Sequence, residues 1–356
     1  MKKVLYITNI EVPYRTEFFN QLSQKCELTI LYEREKSFNR NEIWTKSVNS
    51  YKFDKEYLKG IKIHNEFGFD LKILKYIFSK KYDKIIIGCY NSPIQIFAIM
   101  IMRLFRIKYI LNLDGDYSFE GKSIKNKIKK FILNGADKYL VAGEVATKKL
   151  RKILPKANIK PYHFSSLTAM ELKQNARLKQ RNINNKVLVV GQYYEYKGLD
   201  IALNCARVLD NITFLFIGAG NRSEILRKKA NEMGLRNIEI ISFLDKQKLY
   251  LEYENCKLLL LPSRKECWGL VINEAASFGC PIISTFGSGA AVEFLHENYS
   301  ELLANQDDDI DLINKIKYLL KQDKSYFNKY SEYLLNMSKK YSIEKNVEEF
   351  LEIING

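Results

Sequence analysis

Two glutamates, one on each side of a helix-opening glycine, form the most chemically informative segment of this sequence. The apolar run 258–261 is followed by a polar loop with Glu266, and Gly269 then precedes a helical pattern that contains Glu274. Backbone N–H groups at the start of a helix bind anions, and a glycine there lets a phosphate approach closely. The N–H groups concerned belong to Gly269, Leu270 and Val271.

The two carboxylates narrow the kind of ligand that this segment can bind. A carboxylate is a poor ligand for a phosphate, but it accepts hydrogen bonds from hydroxyl groups. Carboxylates on both sides of an anion site therefore indicate a ligand with hydroxyl groups on both sides of a diphosphate. A ribose and a sugar meet that description, so the segment predicts a site for a nucleotide diphosphate sugar.

The same segment carries a resemblance to a known family. Glu266, seven intervening residues and Glu274, followed by Ala275 and the turn Gly279-Cys280-Pro281, resemble the E-x7-E signature of retaining glycosyltransferases of family 4. Three further segments match in register, and the resemblance covers about residues 186–304. They are the loop Gly191 to Asp200, the glycine turn Ile217-Gly218-Ala219-Gly220, and Phe243-Leu244 followed by Leu249 and Tyr250.

The resemblance implies both a fold and an activity. The fold is GT-B, an α/β architecture of two doubly wound, Rossmann-like domains that face each other across a cleft. The activity is transfer of a sugar, with retention, from a nucleotide diphosphate donor, UDP being favoured, to a glycan hydroxyl. Such enzymes need no metal and no cofactor, because the nucleotide sugar is itself a substrate. The relatives point to capsule, exopolysaccharide or O-antigen assembly in bacteria.

The resemblance implies roles for three residues at positions that match the family's motifs. Lys197 is expected to pair with the donor diphosphate, Glu266 to hydrogen-bond the transferred sugar, and Glu274 to bind the ribose. Lys197 and Glu266 are therefore the expected catalytic residues. The expected donor site also includes Gly191, Gln192, Gly218, Leu244, Gly269, Leu270 and Val271.

One position of the donor loop departs from the family pattern. Gln192 stands where the family usually has an arginine, and an amide donates hydrogen bonds but cannot neutralise charge. This substitution is expected to weaken diphosphate binding. Our hypothesis is that Arg264 or Lys265 compensates for it.

The first half of the chain offers less specific candidates. Tyr14 and Arg15 lie in a segment that resembles the opening loop of some bacterial family members, although the usual double glycine is absent. Asp114 follows the apolar run 109–113, near the place where many relatives have a histidine that touches the donor sugar. Asp114 is therefore a further catalytic candidate. Tyr14, Arg15, Asp116 and His163 are candidates for the acceptor side of the cleft, with a structural role for His163 left open.

Alternating strand and helix patterns organise both halves around these loops. Short apolar runs alternate with amphipathic segments, and the pattern restarts after residue 185. We therefore predict an acceptor-binding domain at 1–172, a linker at 173–185 and a donor-binding domain at 186–339. Residues 340–356 are expected to form a terminal helix that packs back towards the first domain. Ligands of such sheets bind at the carboxyl ends of the strands.

The charge of the chain is distributed unevenly. The 356 residues carry a net charge of +16, and the composition, 46% hydrophobic and 28% charged, is that of a globular protein. Residues 1–175 contain 33 Lys+Arg and 17 Asp+Glu, whereas residues 176–356 contain 24 of each. The excess in the first half indicates an anionic partner. Six cysteines without C-x-x-C spacing and three scattered histidines support neither a zinc site nor disulfides, which fits the cytoplasm.

A basic helical pattern offers one explanation for this excess. Lysines 122, 125, 127, 129 and 130 alternate there with Ile124, Ile128, Phe131, Ile132 and Leu133. The pattern fits an anionic bilayer surface, and it equally fits a core-packed helix with a solvated lysine face. The first reading implies a cytoplasmic protein attached peripherally to the inner face of the cell membrane, with a polyprenyl-diphosphate-linked acceptor.

Two other functions remain open. A nucleotide-sugar 2-epimerase shares the two-domain architecture, but it is not expected to carry the E-x7-E register and would not accumulate free nucleotide. A nucleic-acid-binding protein would use the basic half, with interleaved aromatic residues and affinity that falls steeply with salt. No nucleic-acid motif is present, so nucleic acid is not an expected partner.

Overall fold

The computed structural model describes residues 1–35, 50–58, 60–64, 67–115, 124–176, 184–218 and 220–356. The chain divides into two compact units. The first contains Met1–Phe164 together with Ile343–Gly356, and the second contains Ser165–Ser342.

A seven-stranded parallel sheet forms the centre of the first unit, with the strand order β3-β2-β1-β6-β7-β8-β9. A separate antiparallel pair joins β4 and β5. The strands are β1 (Lys3–Ile10), β2 (Glu27–Arg34), β3 (Asp54–Tyr57), β4 (Ile61–His64), β5 (Phe67–Phe69), β6 (Lys84–Ile87), β7 (Ile110–Leu113), β8 (Lys138–Ala142) and β9 (Ile159–Tyr162). The central strands are mainly apolar because both faces of the sheet are covered.

A six-stranded parallel sheet forms the centre of the second unit, with the order β12-β11-β10-β13-β14-β15. Its strands are β10 (Lys186–Val190), β11 (Thr213–Ile217), β12 (Ile238–Ile241), β13 (Leu258–Leu261), β14 (Ile282–Thr285) and β15 (Leu303–Ala304). Strand β10 pairs with β11 on one side and β13 on the other, so the strand order reverses at β10. Loops that leave the carboxyl ends of strands at such a point form the usual ligand site.

The helices lie between the strands, as expected for doubly wound sheets. They are α1 (Pro13–Leu22), α2 (Lys72–Ile77), α3 (Pro93–Leu104), α4 (Ile124–Leu133), α5 (Glu144–Ile153), α6 (Ala169–Asn175), α7 (Leu199–Val208), α8 (Ser223–Glu232), α9 (Lys246–Asn255), α10 (Leu270–Ser277), α11 (Gly289–Leu295), α12 (Asp309–Leu320), α13 (Lys324–Ser338) and α14 (Ile343–Asn355). The prediction of two doubly wound α/β domains is confirmed.

The boundary between the units falls earlier in the chain than residue 172. Helix α6 lies in the second unit, where Glu171 accepts a hydrogen bond of 2.6 Å from the Nζ of Lys246. The terminal helix α14 lies in the first unit, where the ring of Phe350 contacts those of Phe18 at 4.8 Å and Tyr162 at 5.3 Å. Burial of these aromatic rings holds α14 against α1 and β9.

Candidate functional site

Two loops at the carboxyl ends of neighbouring strands bring Lys197 and Glu266 together. Lys197 ends the 3-10 turn Glu195–Lys197 after β10, and Glu266 lies in the loop after β13. The two side chains form an ion pair and are only 20% and 16% exposed. The structure thus joins two residues that lie 69 positions apart in the sequence.

Gly198 makes this close approach of the two loops possible. Its φ of +68° lies in the left-handed region, and a Cβ atom there would stand 2.0 Å from the carbonyl oxygen of Pro262. Any other residue at this position would push the two loops apart. Gly198 therefore allows the loops that carry Lys197 and Glu266 to approach each other.

Gly269 has a similar role at the start of α10. It is the N-cap of that helix with φ of +102°, and an added Cβ would lie 2.9 Å from the Oγ of Ser288 and 3.3 Å from the Cγ of Glu266. The backbone N–H groups of the first helical turn have no partner within the helix. Because Gly269, the N-cap of α10, lies against Glu266, the N–H groups of Leu270 and Val271 lie near the Lys197–Glu266 pair, as an anion site requires.

Glu274 occupies a polar environment on α10. One carboxylate oxygen accepts a hydrogen bond from the Oγ of Ser166 and the other from the hydroxyl of Tyr253, both at 3.1 Å. Desolvation raises the pKa of Glu274, although the positive charge of Lys246 opposes this. Ser166 and Tyr253 were missed by the sequence analysis, because neither belongs to a motif. The two donors orient the carboxylate while leaving lone pairs for a ligand.

Arg264 connects several of the loops near this site. Its guanidinium donates two hydrogen bonds of 2.8 Å to Asp200, pairs with Asp307, and donates to the carbonyl oxygen of Glu195 at 2.6 Å. Burial raises the pKa of Asp200, but the hydrogen bonds from Arg264 outweigh this and lower it. Two carboxylates thus balance the charge of Arg264 in the free protein. Lys265, the other residue of the compensation hypothesis, is exposed.

The remaining predicted donor residues lie along the same edge of the second sheet. Gly191 follows β10, Gly218 follows β11 and Leu244 follows β12. The N–H of Gly191 donates to the carbonyl oxygen of Ile217 at 2.9 Å, and the N–H of Gly218 donates to that of Ile241 at 3.1 Å. These bonds continue the sheet past its strands. Gln192, at the start of the next loop, is half-buried.

Asp114 belongs to a buried polar cluster in the first unit. Its carboxylate pairs with Arg15 and accepts a hydrogen bond from the hydroxyl of Tyr162. Arg15, which is buried, also donates to Asn112 at 3.4 Å, and Tyr6 donates to the same amide oxygen. Burial raises the pKa of the Tyr6 hydroxyl. The cluster lies where β1 and β7 end, and it unites two of the predicted residues, Arg15 and Asp114.

The other candidates of the first half have separate surroundings. The ring of Tyr14 contacts that of Phe164 at 5.8 Å. The Nδ1 of His163 lies 2.5 Å from one carboxylate oxygen of Glu349, and the His163 backbone N–H donates to the other at 2.7 Å. Since Glu349 belongs to α14, these contacts connect His163 to that helix. Asp116 lies outside the described residues.

Metal and membrane-spanning features are both absent from the part of the chain that the structure describes. There, no three His, Cys, Asp or Glu side chains gather in a group that could hold a metal ion. None of the helices in these residues combines the length and apolar character needed to cross a bilayer.

Comparison with known proteins gives matches to both sequence and structure. Residues 171–340 match the family described as Glycosyl transferases group 1. An uncharacterized glycosyltransferase of Haemophilus influenzae is 24% identical over 274 residues, 74% of each chain. The O-antigen chain mannosyltransferase C of Escherichia coli is 31% identical over 111 residues, 30% of each chain.

Two solved structures resemble the whole chain. Sucrose-phosphate synthase from Thermosynechococcus elongatus has a TM-score of 0.76 at 13% identity, covering 100% of this chain and 98% of that one. Anabaena HepE in complex with UDP has a TM-score of 0.75 at 13% identity, covering 99% of each chain. At such identity the likeness shows the fold alone, and together with the two parallel sheets it shows the GT-B fold.

Proposed function

We propose that this GT-B glycosyltransferase moves a sugar from UDP to a hydroxyl of a lipid-linked glycan, with retention and without a metal or cofactor. One observation carries the donor part of the proposal. The Lys197–Glu266 pair lies beside the N-terminus of α10, at the carboxyl ends of β10 and β13. A cation, a helix N-terminus and a carboxylate are what a diphosphate joined to a sugar requires.

The diphosphate binds between Lys197 and the N-terminus of α10. Negative charge on it grows as the bond between its oxygen and the anomeric carbon breaks. The ammonium group of Lys197 and the N–H groups of Leu270 and Val271 stabilise this charge, and donors already in place usually contribute most to such a step. Binding exchanges the partner of Lys197, from Glu266 to phosphate.

The two glutamates bind the hydroxyl groups at the two ends of the donor. Glu266, released from Lys197, accepts hydrogen bonds from the transferred sugar. Glu274 accepts those of the ribose, since Ser166 and Tyr253 hold its carboxylate in a single orientation. A hydroxyl that bonds to a carboxylate forms a charge-assisted hydrogen bond, which is stronger than a neutral one.

Retention follows when the acceptor attacks on the face that the diphosphate leaves. A leaving phosphate oxygen takes the acceptor proton there, so no carboxylate nucleophile is needed. Asp114 suits this scheme as a positioning residue, because Arg15 and Tyr162 already occupy its carboxylate. Lys197 and Glu266 are the catalytic residues that we assign.

The identity of the substrates rests on relatives. UDP is favoured because Anabaena HepE was solved with UDP and UDP-glucose. The Escherichia coli relative is named as a mannosyltransferase of the O-antigen chain, which favours a role in capsule, exopolysaccharide or O-antigen assembly. Such polymers grow on polyprenyl diphosphates, so we place the protein at the inner face of the cell membrane, attached peripherally.

Calorimetry with UDP, GDP, ADP and CDP tests the donor site. We expect selective binding of UDP, weakened at least about tenfold in Lys197→Ala. Lys186→Ala is the matched control, because Lys186 pairs with Glu239 at 2.6 Å at the opposite end of β10. Binding of none of the four nucleotides, or equal loss in both variants, would contradict the proposed site.

Product analysis separates transfer from epimerisation. Incubation with UDP-sugar and a lipid-linked acceptor is expected to release free UDP and to give a product with the anomeric configuration of the donor. A 2-epimerase would instead leave the new sugar on the nucleotide and need no acceptor. An inverted product would contradict the retaining mechanism.

A further inference from the structure

Large apolar side chains gather on the outside of two neighbouring helices in the first unit. Leu104 and Ile124 are 73% and 76% exposed, and Ile128 is 54% exposed. Together with three other exposed residues they form what we call the α3–α4 apolar surface. Its members are Met100, Leu104, Phe105, Ile124, Ile128 and Phe131.

The outward direction of these side chains is a property of the fold. On α4, Ile124, Ile128 and Phe131 follow one another at spacings of four and three residues, which places them on one helix face. The same helix turns Ile132 and Leu133 into the core. Helix α4 is therefore apolar on two sides, and only one of them is covered within the first unit.

A contact between α3 and α4 connects the two parts of this surface. The guanidinium of Arg103 lies 4.2 Å from the ring centre of Phe131 and donates a hydrogen bond of 2.5 Å to its carbonyl oxygen. At the end of α3, its C-cap Phe105 contacts the ring of Phe78, the exposed C-cap of α2, at 4.9 Å. Single exposed apolar residues are ordinary, but a linked group of this kind marks an interaction surface.

The charge around this surface is predominantly positive, although Lys108 pairs with Asp137. Residues 71–82, 100–108 and 124–134 contain four, three and four Lys or Arg, and no Asp or Glu. On α4, Lys127 and Lys130 are exposed beside the apolar face. A partner that binds both the apolar side chains and the lysines must have an apolar interior and an anionic surface.

We infer that the α3–α4 apolar surface docks on an anionic phospholipid bilayer. Its aliphatic and aromatic side chains enter the boundary between headgroups and acyl chains, and the lysines contact the anionic headgroups. Nucleic acid fits less well, because single strands are bound by stacking on aromatic rings, whereas Leu104, Ile124 and Ile128 are aliphatic. The inference rests on the membrane location proposed above and names the surface responsible. It does not depend on the donor site.

Vesicle sedimentation with the full chain tests the inference. Vesicles contain phosphatidylcholine alone or with about one third phosphatidylglycerol. We expect binding to the anionic vesicles that weakens with added salt, and at least about tenfold weaker binding to phosphatidylcholine alone. Failure to bind anionic vesicles would overturn the inference.

Two sets of variants separate the apolar and charged contributions. We expect anionic-vesicle binding to weaken at least about tenfold, with unchanged salt sensitivity, in the triple variant Leu104→Ser, Ile124→Ser, Ile128→Ser. Lys127→Glu with Lys130→Glu is expected to weaken it at least about tenfold and to reduce the salt sensitivity. Wild-type binding by either variant would overturn the inference.

Matched controls come from exposed positions of the second unit. Ile225→Ser with Ile310→Ser, and Lys317→Glu with Lys321→Glu, alter comparably exposed residues and are expected to bind vesicles like the wild type. Equal loss in these controls would overturn the inference. Thermal unfolding establishes that each variant is folded, and UDP calorimetry on the same samples tests the donor site separately. If the wild type formed a dimer that the serine variants dissociate, and vesicle binding were unchanged, the α3–α4 apolar surface would instead be an interface between two copies of the chain.

Discussion

Replacing Glu266 by glutamine should strengthen the binding of UDP while it weakens sugar transfer. In the free protein Glu266 holds Lys197, and UDP must separate this pair before the lysine can bind phosphate. Glu266→Gln removes the competing negative charge and leaves the shape of the side chain nearly unchanged. The two effects have opposite signs because UDP carries no sugar for Glu266 to bind.

The magnitude follows from the burial of the pair. Exposed ion pairs contribute up to about 1 kcal/mol, and breaking a buried pair costs about 3–5 kcal/mol. With side chains 20% and 16% exposed, the Lys197–Glu266 pair lies between these limits, at about 1.5 kcal/mol. UDP should therefore bind Glu266→Gln about tenfold more tightly. The transfer rate should fall about a hundredfold, because the sugar loses charge-assisted hydrogen bonds in the transition state.

Calorimetry with UDP and initial rates with UDP-sugar measure the two effects on one preparation. Glu239→Gln is the control, since it breaks another Lys–Glu pair, at 2.6 Å, away from the site. UDP affinity of this control should equal that of the wild type. If Glu266→Gln bound UDP more weakly than the wild type, the lysine would not be released by the donor and the reasoning would be refuted.

Three further predictions concern the supports of the site. Desolvation raises the pKa of Glu274 above 4.5, so ionisation of this carboxyl destabilises the folded protein. Glu274→Gln should therefore raise the melting temperature at neutral pH, and thermal scans below pH 4.5 should show no difference from the wild type. The same variant should bind UDP more weakly. Arg264→Lys should lower the free energy of unfolding by about 1 kcal/mol in urea titrations, because lysine cannot form the bidentate pair with the partly exposed Asp200, and UDP affinity should change less than about threefold. Gly198→Ala should lower the free energy of unfolding by at least about 2 kcal/mol more than Gly234→Ala does, and it should weaken UDP binding. Both glycines have φ of +68°, but only a Cβ at Gly198 meets a neighbouring carbonyl. An equal loss of stability in the two variants would contradict the role of this close approach.

Local patterns in the sequence were sufficient to predict most of the two sheets. Apolar runs of three or four residues predicted the central strands β6, β8, β10, β11 and β13, because strands buried on both faces are largely apolar. Three of the edge strands escaped this pattern. Strand β3 has the polar sequence Asp54–Tyr57, β9 contains Pro161, and β15 has two residues. An edge strand is paired on one side only, so its sequence carries a weaker signal.

The positions of the candidate site were also readable from the sequence, since they depend on local spacing. Glu266, Gly269 and Glu274 belong to one strand-loop-helix segment, with Glu266 in the loop, Gly269 at the N-cap and Glu274 on the helix. The loop of Lys197 follows another predicted strand. Parallel strands bring such loops to one edge of the sheet, so their proximity could be expected before the structure was known.

Only the tertiary structure determined which partners these residues have. Ser166 contacts Glu274 across 108 positions of the sequence, Arg264 contacts Asp200 across 64, and Tyr162 contacts Asp114 across 48. The helical spacing of Ile124 and Ile128 likewise predicted an apolar face on α4 without showing that this face points outward. The periodicity of a sequence shows which residues share a face of a helix or strand. The packing of distant segments determines what covers that face and which charged side chains form ion pairs.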